Sequence, residues 1–154
     1  MAPIIEEQAT QAALPLLEQA GCELWDVCFE KEGAMWYLRV LFDRDIGVDS
    51  DSCEEISRPI NELFDKQPFI EHVDILEIGT PGISRRLRKP EHFRQWLGER
   101  VRAQVKTEKG ETYITGLLDN YDEEKNEITI NGETVRLKKC IKVNADPADS
   151  DNEI

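Results

Sequence analysis

Asp74-Ile75-Leu76-Glu77-Ile78-Gly79-Thr80-Pro81-Gly82-Ile83-Ser84-Arg85-Arg86-Leu87-Arg88-Lys89-Pro90 decides how this chain divides. The stretch opens as an alternating apolar strand and stops at Gly-x-Pro-Gly. A run of cations follows, closed by a proline. Upstream the periodicity is mixed α and β; downstream it is that of short strands. The expected fold class is therefore α+β, helix–strand–strand–helix–strand followed by a small β-barrel. Four regions are expected: an α+β domain over 1–81, a basic inter-domain linker over 82–90, a barrel over 91–144 and an acidic disordered tail over 145–154. Gly79, Pro81 and Gly82 are read as an inter-domain turn. There the two glycines supply positive φ and the proline stiffens the corner.

Upstream of that joint, residues 3–19 read as a helix, with Pro3 in its first turn and Ile5, Ala9, Ala12 and Leu16 at helical spacing. Pro15 predicts a kink or early end, and Gly21 a stop. Residues 22–31 and 35–42 alternate around Glu32-Gly33 and form a hairpin, with Trp36, Leu38, Val40 and Phe42 expected to face the helices. Asp49 is placed to cap a second helix carrying Cys53, Ile56, Ile60, Leu63 and Phe64 on one face, with a bend at Pro59. A third strand over 72–79 completes this layer.

Downstream, residues 90–97 read as a short helix with Pro90 at its start and Gly98 at its end. Five strands follow, over 100–107, 112–121, 127–131, 133–137 and 139–143. They are separated by tight turns, of which Asn131-Gly132 is the strongest hairpin signal. Five such strands read as a closed barrel.

Charge is unevenly spread along the chain. Residues 1–80 carry 18 acidic and 5 basic side chains, residues 81–109 carry 3 and 9, and residues 110–154 carry 11 and 5. An acidic body with one basic band does not suit a generic DNA binder. It suits an oriented contact with phosphate, made while the acidic faces attract a basic protein. A partner built of both RNA and basic protein meets those terms.

Cys22, Cys28, Cys53 and Cys140 form no C-x-x-C pair, and His72 and His92 are the two histidines, so neither zinc nor any other metal site is expected. The cysteines read as small apolar residues in a reducing cytosol. No leader or membrane span is expected, which points to a cytoplasmic protein. No Ser-His-Asp or Cys-His arrangement and no Walker-type loop is present, so the expected protein is not an enzyme and needs no cofactor. Asp43, Asp45, Asp49 and Asp51 could hold a hard cation, but the spacing lacks a closing glutamate. Helix capping and solvation account for them better.

The sequence resembles the RimP family of bacterial ribosome maturation factors. The resemblance rests on Gly21-Cys22-Glu23-Leu24-Trp25-Asp26-Val27, on Leu38-Arg39-Val40-x-Phe42-Asp43 and on Asp51-Ser52-Cys53-x-x-x-Ser57-Arg58. It is strongest at Leu76-Glu77-Ile78-Gly79-Thr80-Pro81-Gly82-x-x-Arg85-x-Leu87, followed by Phe93 and Gly98, and it spans about residues 5–143. It departs from the family at Gly79-Thr80, where two serines are usual, and at Arg86, where proline is usual. The resemblance implies a KH-like N-terminal domain and an SH3-like C-terminal barrel. It also implies binding to the free small (30S) ribosomal subunit during assembly, near the basic ribosomal protein at the decoding centre.

The candidate ribosome- and RNA-binding residues are Arg85, Arg86, Arg88, Lys89 and Arg94. Against that stands a solvated linker whose arginines pair with neighbouring acids. Gly79-Thr80-Pro81-Gly82 spells the G-x-x-G of a nucleotide clamp, but it follows a strand, so a tight turn is the better reading. Trp36, Tyr37 and Tyr113 could stack on bases, although aromatics in alternating strands are more often core. The expected function is a monomeric, non-catalytic assembly factor without membrane or DNA partners. The alternative is a protein-only module whose barrel grips a basic protein or peptide.

Overall fold

A computed structural model describes residues 2–147. The chain divides into two compact units, Met1–Pro81 and Gly82–Ile154.

The first unit runs α1 (Ala2–Gln19), β1 (Glu23–Glu32), β2 (Met35–Asp43), α2 (Ser50–Phe64), a 3-10 turn (Pro68–His72) and β3 (Ile75–Gly79). Its sheet has the order β1-β2-β3, antiparallel in the hairpin and parallel between β2 and β3. This is the expected α+β layer. Ile5, Ala9, Ala13 and Leu17 recur every four residues on α1, and Ile56, Ile60 and Phe64 do so on α2. Both stripes share one core with Leu38, Val40 and Phe42 of β2. Small alanines on α1 let that helix pack closely, and burial of the large residues supplies roughly 1.5–3 kcal/mol apiece. Trp36 stays partly exposed and stacks on Phe29 at 4.7 Å between centroids.

α1 runs further than its proline suggests. α1 continues through Pro15 to Gln19, because fully buried Leu17 anchors its last turn in the core. A single missing backbone bond is outweighed there by packing. Asp49 caps α2 as expected, its carboxylate accepting the Ser52 N–H at 2.8 Å. That hydrogen bond holds the Asp49 carboxyl below the usual carboxylate range. Edge strand β1 is guarded by α1, since the Phe29 N–H donates to Oε2 of Glu6 at 2.9 Å.

The second unit comprises α3 (Pro90–Gln95), β4 (Arg100–Thr107), β5 (Gly110–Asp122), β6 (Glu127–Ile130), β7 (Glu133–Arg136), a 3-10 turn (Leu137–Lys139) and β8 (Cys140–Ala145). All pairings are antiparallel, in the order β7-β6-β5-β4-β8. β5 pairs with β4 as far as Leu117 and with β6 from Leu118, so one long strand serves both halves of the small barrel. The ladder does not close as expected. β7 and β8 are its two edges, and the 3-10 turn crosses between them. Asn131 and Gly132 take φ of 51° and 81°, the paired positive values of a type I′ turn. The core joins Val101, Ala103, Val105, Leu118, Ile128, Ile130, Val143 and Ala145 to Leu87 and Phe93.

Two boundaries differ from expectation. Residues 82–90 are not a free linker: Leu87 is 3% exposed, and its N–H donates to the Val143 carbonyl at 2.7 Å. β8 runs through buried Ala145, and Asp146 is held by Arg100, so neither belongs to a disordered tail. The rest of the acidic tail, from residue 148, lies outside the described residues.

Candidate functional site

The cations of the basic segment hang on an ordered backbone within the second unit. Arg86 forms a bridge with Asn144, extending the sheet beyond β8. The Ala145 N–H donates to the Arg85 carbonyl at 2.8 Å, and Asn144 Nδ2 to the Ser84 carbonyl at 2.9 Å. The strand edge that β8 would present is thereby covered. Arg86 and Arg88 flank Leu87, which is buried in the core. α3 starts at once, with Pro90 pre-set for its first turn. Its buried His92 accepts the N–H groups of Arg88 and Lys89 through Nδ1, at 2.9 and 3.0 Å.

The five expected site residues do not all lie alike. Arg85 sets its guanidinium over the Trp96 ring, 5.2 Å from the centroid, and its Nε donates to the Gly82 carbonyl at 3.3 Å. Arg94 on α3 forms an ion pair with Glu123. Both partners of that pair are more than half exposed, so the pair contributes little and a phosphate could compete for Arg94. Arg86 and Arg88 line a groove of about 240 Å³ together with Leu87 and Val143. Lys138 and Lys142 line the same groove. Lys138 also borders a second hollow with Lys125 and Arg136.

Sequence reading missed those lysines. They sit in the acid-rich stretch after residue 110, and their approach to Arg86 depends on a pairing between segments almost sixty residues apart. The signal lies in the register of β8. The basic band is thus a patch drawn from two stretches of chain.

The turn residues also divide. Gly82 has φ of 80° as expected, and its carbonyl receives Arg85. Gly79 does not supply a positive φ, because it ends β3 paired with Leu41 and is extended. A clamp needs its glycine loop between helices, and here the four residues follow a strand. Cys140 lines the groove, and burial pushes its thiol above the usual range. No helix among the described residues is long and apolar enough to cross a membrane.

Residues 12–84 match the family model of the RimP N-terminal domain.

Proposed function

We propose that this chain, which belongs to the RimP family of ribosome maturation factors through its N-terminal domain, binds the free small (30S) ribosomal subunit and assists its maturation without catalysing a reaction. The family is one of non-catalytic assembly factors, and its partner is ribosomal in the general sense. The finer reading, contact with ribosomal RNA and a basic small-subunit protein, rests on the ordered basic segment. Pairing with β8 holds the backbone at Arg85 and Arg86, and the N–H groups of Arg88 and Lys89 donate to His92 Nδ1. Cations held on a rigid scaffold lose less freedom when they meet phosphates than cations on a loose linker would. The acidic remainder of the chain repels bare nucleic acid and admits a basic protein beside the patch. Pro81 and Gly82 serve in this reading as the connection between the two domains, with Gly79 closing β3 ahead of it.

The test is co-sedimentation with purified small subunits across a salt series. Six phosphate contacts would weaken binding about a thousandfold between roughly 50 and 200 mM salt. Reversing Arg85, Arg86 and Arg88 to glutamate should abolish most of that binding in a chain whose circular dichroism is unchanged. A folded triple variant with wild-type affinity and an unchanged salt slope would remove phosphate contact from the reading. The protein-only alternative predicts binding that survives ribonuclease treatment of the complex.

A further inference from the structure

The face of the second sheet turned away from its core carries a pattern that the basic segment alone does not explain. Register places residues side by side across β8, β4 and β5, with Arg86 bridged to β8. Arg86 lies opposite Asn144, Asn144 opposite Arg102, and Arg102 opposite Thr115. One row along, Lys142 lies opposite Gln104, and Gln104 opposite Tyr113. Residues opposed in a ladder project to the same face. The intervening Leu87, Val143, Ala145, Val101 and Ala103 are buried in the core, so these two rows face outward.

Arg102 and Lys142 are exposed, and Tyr113 is 55% exposed. The Arg102 guanidinium lies over the Tyr113 ring, 4.4 Å from its centroid. The two rows border a hollow of about 270 Å³ whose lining includes Arg102, Gln104, Tyr113, Lys142, Asn144 and Asp146. Two carboxylates beside the rows are engaged. Asp146 is held by Arg100 at 3.1 Å, and Glu111 accepts from Gln104 at 2.7 Å. Adjacent strands are about 4.8 Å apart, so Arg86 and Arg102, two positions apart in one row, stand roughly 10 Å from each other, with Lys142 in the neighbouring row.

We infer that this face is a platform for single-stranded RNA, with Arg86, Arg102 and Lys142 on its phosphates and one base stacked on Tyr113. An exposed ring beside fixed cations meets both halves of a nucleotide, its π-face and its phosphate. A duplex would keep its bases in its own stack and leave Tyr113 nothing to receive. A basic protein would be repelled by three cations in two rows. The inference deepens the function proposed above and rests on it for the source of the strand, which is ribosomal RNA.

The test uses the full chain with a fluorescein-labelled oligouridylate of roughly twelve nucleotides, a length one small β-barrel can cover. Tyr113→Ala should weaken binding on the order of tenfold or more, whereas Tyr113→Phe, which keeps the ring, should bind like the parent. Lys142→Gln and Arg102→Gln should each reduce the slope of log affinity against log salt by about 0.7. Failure of the parent to bind the oligomer, or equal binding by the alanine and phenylalanine variants, overturns the platform. Co-sedimentation with small subunits separates the two readings. If the parent sediments with subunits but the platform tests fail, the platform falls and the proposed function stands. If the oligomer binds through Tyr113 and subunits do not bind, the platform stands and the proposed function falls.

Discussion

The Nδ1 atom of buried His92 receives the backbone N–H of Arg88 at 2.9 Å. It also receives the N–H of Lys89, so the histidine organises the entry to α3. Both donors sit just ahead of the helix, where no carbonyl one turn earlier can accept them. His92→Ala would orphan two donors and leave a cavity, costing the second unit roughly 2–4 kcal/mol. His92→Gln offers Oε1 in the manner of a capping box and should recover part of that loss. Amide hydrogen exchange at Arg88 and Lys89 is the measurement. Exchange there that is no faster in His92→Ala would show that these bonds contribute nothing.

Gly116 and Gly79 make a matched pair for the second test. A Cβ on Gly116 would stand 2.8 Å from the Cβ of Asn131 and 3.4 Å from Cγ2 of Ile130, where β5 passes the turn between β6 and β7. A Cβ on Gly79 would meet nothing within 4 Å. Gly116→Ala should destabilise the second unit by about 1–3 kcal/mol through overpacking. Gly79→Ala should leave the first unit folded, with stability changed by less than about 0.5 kcal/mol. Urea titrations followed by NMR signals of each unit separately give both values. A stable Gly116→Ala would mean that the turn can move aside.

The difference between what the sequence disclosed and what it hid follows from range. Asn131-Gly132 was legible because a two-residue turn needs positive φ at both positions, and that requirement is local. The α2 stripe and the Asp49 cap were legible from their spacing; on α1 Ile5 and Ala9 were, but the fully buried positions beyond them are Ala13 and Leu17, with the expected Ala12 and Leu16 only partly buried. The basic segment was read as a linker because cations dominate it, although one apolar residue, Leu87, fixes it in the core. The partnership of Arg86 with Lys138 and Lys142, and that of Lys142 with Arg102, depend on register between distant strands. Composition averaged over the acid-rich C-terminal third concealed those lysines altogether.

Cys140 offers a reporter for the groove that Arg86, Arg88, Lys138 and Lys142 share. Burial pushes its thiol above the usual range, so near neutral pH little of it is thiolate, the form that reacts. Alkylation in the folded chain should therefore be slower than in the denatured chain at about pH 8, and should keep rising with pH after the denatured thiol has reached its plateau. Small subunits docked over the groove should slow it further, because the docked surface closes the approach to the sulfur. Salt that dissociates the complex should restore the rate. Peptide mass spectrometry after timed iodoacetamide labelling distinguishes Cys140 from partly exposed Cys53 in the first unit. Protection of Cys140 that disappears in the Arg85, Arg86 and Arg88 glutamate variant would tie the groove to the bound surface. Equal labelling with and without bound subunits would place the contact elsewhere on the chain.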